Sequence, residues 1–164
     1  MKKSVLLSLI VFLFGLTIDR AQKFYQINIK GWSGGEMINV TSFFDYILVW
    51  NKGVSFGLFS SLPPILLGMI ISVALILLIV WWVKADDVLS RVGLALCVAG
   101  AISNIIDRFL YGAVADFFHF YWGQYSFYIF NIADVLISLG LIILLLEMVI
   151  PKKNTNDKLN KDKL

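Results

Sequence analysis

The sequence is short of the residues that keep a protein in water. Charged side chains make up 15% of its 164 residues, whereas a soluble domain carries about a quarter. With 59% hydrophobic residues and a mean hydropathy of +0.83, the composition is that of an integral membrane protein. Cysteine occurs once, as Cys97. A disulfide within the chain and a cysteine-built metal cluster are therefore excluded, and Cys97, inside an apolar run, is expected to be a packing residue. The single histidine, His119, falls in an aromatic-rich connection and is expected to be solvated or interfacial. Acids number 11 against 14 Lys and Arg. In so apolar a chain that excess is read as topology rather than nucleic-acid binding, because bases collect in cytoplasmic flanks.

What the sequence does have is long apolar runs. We expect one domain over 1–164, an all-α membrane protein with four transmembrane helices at about 4–20, 64–83, 92–110 and 128–150. A cytoplasmic tail, 151–164, should follow, and a small extracytoplasmic β-sheet and loop element should lie between the first and second spans. Lys2, Lys3 and the apolar run from Val5 resemble a signal peptide. Asp19 and Arg20 stand where small cleavage-site residues belong, so an uncleaved first span is expected. Pro63-Pro64 marks the start of the second span, which holds no ionisable residue and should only pack. Both termini and the charged connector from Lys84 to Arg91 together hold nine of the 14 bases, so both ends are expected in the cytoplasm.

Polar residues inside the runs carry the functional signal, since charge at membrane depth is costly. Gly93, Gly100, Asn104 and Asp107 follow one another at steps of seven, four and three, and fall on one helical face. Small residues there let a neighbouring helix approach, and polar ones fill the far end. Asn131 and Asp134 open the last run, three residues apart. The four-span topology carries Asp19, Asn51, Asn104, Asp107, Arg108, Asp116, Asn131 and Asp134 to the outer level. Two carboxylates close together in a dry place cannot both ionise easily, and such a pair can activate water against a carbonyl. The residues alone leave three readings open: a peptidase, a proton or ion pathway, or a structural role.

Five short motifs in order narrow this. They are Asp19-Arg20-Ala21-Gln22-Lys23, Asn51-Lys52-Gly53-Val54-Ser55-Phe56, Ser103-Asn104-Ile105-Ile106-Asp107-Arg108, Val114-Ala115-Asp116-Phe117, and Phe130-Asn131-Ile132-Ala133-Asp134. Together they resemble the motifs of the lipoprotein signal peptidase (signal peptidase II) family over nearly the whole chain. The resemblance implies an aspartic endopeptidase of the bacterial cytoplasmic membrane, working at its extracytoplasmic side. Its substrates would be diacylglyceryl-modified prolipoproteins, cut before the lipidated cysteine. By the same resemblance, Asp116 and Asp134 would be the catalytic pair. Asn51, Gly53, Asn104, Arg108 and Asn131 would line the site, and Asp19, Lys23 and Asp107 would support it, with Asp107 the rival for the pair. It implies membrane lipids as surroundings, a monomer, and no metal, cofactor or nucleic acid. Three positions depart from the family pattern: Arg20 for Gln, Ser55 for Ala and Ser103 for Gly. Arg20 adds a positive charge near the outer interface that is expected to bear on lipid contacts. The alternative kept beside this reading is a small proton- or ion-conducting protein using the same acids.

Overall fold

The computed structural model describes residues 2–53 and 64–149. Val54, Ser55 and Phe56 of the second motif, Pro63, and the tail expected at 151–164 lie outside the described residues. Among the described residues four helices are long and apolar enough to cross a membrane. These are α1 (Lys2–Phe24), α2 (Pro64–Lys84), α3 (Val88–Tyr111) and α4 (Ile132–Val149).

The helix ends differ from those read from hydropathy, each for a local reason. α1 does not stop near residue 20. It runs to Phe24 and continues as a π-helical turn, Tyr25–Ile29, because Asp19 and Lys23 are buried rather than solvated. α3 starts at Val88, where the Asp87 side chain accepts the Ser90 N–H at 2.6 Å, an N-cap that satisfies one orphan donor of the first turn. Arg91, expected in the connector, is thereby the fourth residue of α3 and is buried. α3 ends at Gly112, whose φ of 72° suits glycine. α4 begins at Ile132, four residues after the hydropathic run. Asn131 accordingly precedes the helix instead of sharing a helical face with Asp134.

The strands are β1 (Met37–Thr41), β2 (Phe44–Asn51), β3 (Val114–Trp122) and β4 (Tyr125–Ser126), antiparallel in that order. The sheet does not belong to the α1–α2 connection alone. Half its strands come from the α3–α4 connection, where the aromatic-rich stretch with Asp116 reads from sequence as loop. The alternation that betrays a strand is hidden there, because residues 114–117 are all buried. Leu48, Ala115 and Phe117 form a core under the sheet, with Trp32, Tyr46 and Trp50 packed against it.

α3 is the central helix. Its most apolar window is 61% buried, against 22%, 6% and 22% for those of α1, α2 and α4. Close approach to α4 depends on glycine. A Cβ on Gly100 would run into the Ala133 carbonyl, and one on Gly140 into Cys97 Sγ and the Gly93 carbonyl. The small residues of α3 thus let α4 lie backbone to backbone, as read from their spacing, and they hold the start of α4 beside Asn104. A methyl group at Gly100 must push these helices apart. We expect Gly100→Ala to lower stability by about 1–3 kcal/mol and to impair activity. Gly68→Ala, with nothing within 4 Å of the added carbon, should do neither. Thermal unfolding of both variants in detergent checks this, and equal melting temperatures would refute it.

Candidate active site

Two elements bring in Asn51 and Asp116. In the β2–β3 register Asn51 lies opposite Val114, and Val49 opposite Asp116, so Asn51 and Asp116 are diagonal neighbours on one face. The Asn51 amide donates to Asp116 Oδ2 at 3.0 Å, and its oxygen accepts the Gly53 N–H at 2.9 Å. Past the strand, Arg108 at the end of α3 donates to the Gly53 carbonyl at 2.7 Å and to the Asn104 carbonyl at 3.2 Å. The Asn51–Gly53 turn is therefore tied to both the sheet and α3.

α4 brings in the second carboxylate through its N-terminus. Asn131 Oδ1 accepts the Asp134 N–H at 2.9 Å, and Asp134 Oδ2 accepts the Asn131 N–H at 3.3 Å. This is a capping box built from Asn and Asp. Phe130, just before it, is pinned to β3: its carbonyl accepts the N–H groups of Phe117 and Phe118 at 2.9 and 2.8 Å. The Asn131 amide then reaches Asp116 Oδ1 at 2.6 Å, while Asn104 donates to Asp134 Oδ1 at 2.9 Å. One buried asparagine thus touches both carboxylates.

Behind them lies an ion cluster. Lys23 is fully buried, with its ammonium 2.9 Å from Asp19, 2.7 Å from Asp107 and 3.1 Å from the Asn104 side-chain oxygen. Asp19 accepts the Ala133 N–H at 2.7 Å, capping α4 a second time, and the Ser103 hydroxyl at 2.5 Å. Asp107 accepts the Ala115 N–H at 3.2 Å, next to Asp116, and pairs with Arg20. Arg20 also donates to the Ser103 carbonyl at 3.3 Å.

Asn51, Asn104, Arg108 and Asp134 line a cavity of about 370 Å³ whose other walls are mostly apolar, among them Ile71, Ile137 and Leu141, with Tyr128 and Ser138 adding hydroxyl-bearing side chains. Asp116 is buried behind this wall, held by Asn51 and Asn131. Burial pushes Asp116 up to about 7 and the nearby Asp134 charge adds to this, while the Asn51 and Asn131 amides oppose it. A larger hollow of about 510 Å³ lies among sheet aromatics such as Phe43, Phe120 and Trp122. It holds no carboxylate and is not the reaction site.

The structure therefore gathers Asp116, Asp134, Asn51, Gly53, Asn104, Arg108 and Asn131 in one region, with Asp19, Lys23 and Asp107 directly behind. His119 stands apart on β3, with Nε2 2.7 Å from the Ser126 hydroxyl and Nδ1 3.5 Å from Asp45. Sequence reasoning missed Tyr128 on the cavity wall and gave Arg20 and Ser103 no part in the site. Their signal was present as spacing: Arg20 follows the capping Asp19, and Ser103 precedes Asn104.

Fold and site together define a polytopic membrane protein with a carboxylate-lined cavity at one end of its helices. Comparison with known proteins makes this specific. Residues 11–150 match the family model described as signal peptidase (SPase) II, and the chain belongs to the signal peptidase II family. It is 37% identical to a lipoprotein signal peptidase of Rhodopseudomonas palustris (strain TIE-1), over 89% of this chain and 93% of that one. It is 38% identical to that of Nitrobacter hamburgensis, over 80% and 85%. A solved bacterial membrane enzyme determined in meso at 2.3 Å superposes with a TM-score of 0.75 and 28% identity, covering 87% of each chain. A second, at 1.9 Å, gives 0.73 and 28%, covering 88% of this chain and 94% of that one. The protein is thus a peptidase of a bacterial membrane, and these matches lend no support to an ion conductor.

Removing the buried ammonium should leave Asp19 without a cation and Asp107 with Arg20 alone. We expect Lys23→Met to cost about 3–5 kcal/mol, seen as a lowered denaturation midpoint in detergent. An unchanged midpoint would show that Asp19 and Asp107 do not depend on it. Arg20→Gln, which leaves Lys23 in place, should be milder.

Proposed function

We propose that the protein is an aspartic endopeptidase in which Asp116 and Asp134 act as a pair sharing one proton. The observation that carries this is buried Asn131, whose side-chain amide donates to Asp116 Oδ1 while its main-chain N–H donates to Asp134 Oδ2. Neither takes part in an ion pair among the described residues, whereas Asp19 and Asp107 do. Asp107, the rival partner, is committed to Lys23, Arg20 and the Ala115 N–H. Both its oxygens are thereby engaged.

In this reading a water molecule sits between the pair. The ionised carboxylate takes its proton as the oxygen attacks the scissile carbonyl, and the protonated carboxyl gives its proton to the carbonyl oxygen. Collapse of the tetrahedral intermediate then sends a proton to the leaving amine. Arg108, Asn51 and Asn104 present donors on the cavity wall, suited to holding an extended peptide backbone. A second hollow of about 360 Å³ on the other side of Arg108 is lined by Leu67, Ile71 and Phe109. Between them the two give room for a peptide and an acyl chain. The substrate we assign is therefore a diacylglyceryl-modified prolipoprotein, cut before its lipidated cysteine. Lys2 and Lys3 at the start of α1 and Lys84 at the end of α2 support a cytoplasmic position for those ends. The topology we assign has both termini inside and the carboxylates and sheet at the extracytoplasmic side, in a protein working as a monomer among membrane lipids.

Gel-shift cleavage of a diacylglyceryl-modified prolipoprotein by purified protein tests the pair. Asp116→Asn and Asp134→Asn should each lose at least about a thousandfold in rate while still folding. A live Asp116→Asn would return Asp107 to candidacy.

A pH profile tests the shared proton. Because Asp116 is raised to about 7, it keeps its proton below that pH and loses it above. With Asp134 ionised, kcat/KM should then fall as pH rises past about 7, when the pair holds no proton to donate. A rate that climbs steadily through pH 9 would contradict the assignment.

A further inference from the structure

At the opposite end of the helices lies a second polar feature that the peptidase reaction does not use. A cavity of about 300 Å³, at the lower edge of ligand-binding size, is walled by Val5, Ser8 and Leu9 of α1, Trp82 and Val83 of α2, and Arg91 of α3. Arg91 is 8% exposed, and its Nε is buried with no hydrogen-bond partner; the indole Nε1 of Trp82 is buried in the same condition. The Trp82 ring is held against Phe12, 5.3 Å between centroids.

Two physical arguments say that something anionic is expected here. Burying a cation and orphaning N–H groups is costly unless they find acceptors. Arg91 also sits in the first turn of α3, the positive end of the helix dipole, where a cation is disfavoured and an anion welcome. The ion pairs among the described residues do not include Arg91.

We propose that this cavity binds the phosphate of an anionic glycerophospholipid, with the Arg91 guanidinium and the Trp82 indole N–H as donors. A lipid rather than free phosphate fits because the remaining walls are apolar. Leu9 and Val83 are 43% and 70% exposed, so the cavity borders the surface that faces the bilayer. Exposed Lys2, Lys3 and Lys84 stand at the same helix ends, and Lys2 is three residues before Val5, on its face of α1. Such basic pockets between membrane helices suit anionic headgroups. Assignment to the cytoplasmic leaflet rests on the topology proposed above; the binding itself does not.

The test is native mass spectrometry with thermal unfolding of the full chain in detergent. The probes are phosphatidylglycerol, phosphatidylcholine with the same acyl chains, and inorganic phosphate. Phosphatidylglycerol should be retained and should raise the melting temperature, whereas the other two should not. Arg91→Gln and Trp82→Phe should each weaken its binding about tenfold, the order expected for one charge-assisted hydrogen bond. Equal effects of the two lipids, stabilisation by inorganic phosphate alone, or undiminished binding in Trp82→Phe would overturn the proposal. Trp82→Phe keeps the ring and decides the matter even where Arg91→Gln does not fold. Asp116→Asn should bind phosphatidylglycerol like the native chain, so failure of the peptidase reading and failure of this one are distinguishable.

Discussion

A single buried ammonium organises the carboxylate-bearing end of this protein. Lys23 is sealed from solvent and touches Asp19, Asp107 and Asn104, and each of these three passes the constraint to a different element. Asp19 caps the start of α4 through the Ala133 N–H, Asp107 holds the Ala115 N–H beside Asp116, and Asn104 donates to Asp134. Burying a lysine is worthwhile only when its charge and donors are met. Here they are met by groups from two helices that themselves reach toward α4 and β3. Moving any one of these elements would leave a buried charge unbalanced, so the ion cluster fixes their relative positions more firmly than apolar packing in a bilayer does.

That constraint needs α3 and α4 very close, and in a membrane closeness comes from small residues rather than from hydrophobic burial. Gly93, Gly100 and Gly140 supply it along the apolar length of the pair. Where the glycines end, Asn104 and Asp107 begin on the same face of α3. One stripe therefore does two jobs in sequence: it brings the helix backbones together, then fills the far end with hydrogen-bonding groups. The N-terminus of α4 is met there by Asn131, Asp19 and Asp134, which resolves the orphan N–H groups of a helix starting in protein rather than in water.

Much of this was legible in the sequence, and the parts that were not have physical causes. The four helices followed from hydropathy, and the glycine and asparagine stripe of α3 from spacing alone. The five motifs pointed to every carboxylate and asparagine that the structure draws together. The helix ends were misread because hydropathy treats Asp19, Lys23 and Arg91 as terminators. Asp19 and Lys23 meet buried partners on α3, 84 positions away in the chain, and charged residues so met no longer end a helix, while the Asp87 cap starts α3 ahead of Arg91. Strand β3 was missed because both its faces are covered near Asp116, which erases the alternation of a half-exposed strand. Arg20 and Ser103 read as departures from a pattern. In three dimensions they engage one another and the acids on either side, since Arg20 holds Asp107 and the Ser103 carbonyl while the Ser103 hydroxyl holds Asp19.

The same end of the molecule separates four carboxylates into two kinds by what faces them. Asp19 and Asp107 meet cations and main-chain N–H groups. Among the described residues Asp116 accepts from the amides of Asn51 and Asn131, neutral donors that hold a carboxyl group in place without cancelling its charge. Burial and the neighbouring Asp134 then keep Asp116 near neutrality in its proton affinity. Asparagine is the residue that permits this distinction. An arginine or lysine at position 131 would also orient the carboxylates, but in the reaction proposed above its charge would oppose the proton that the pair has to give.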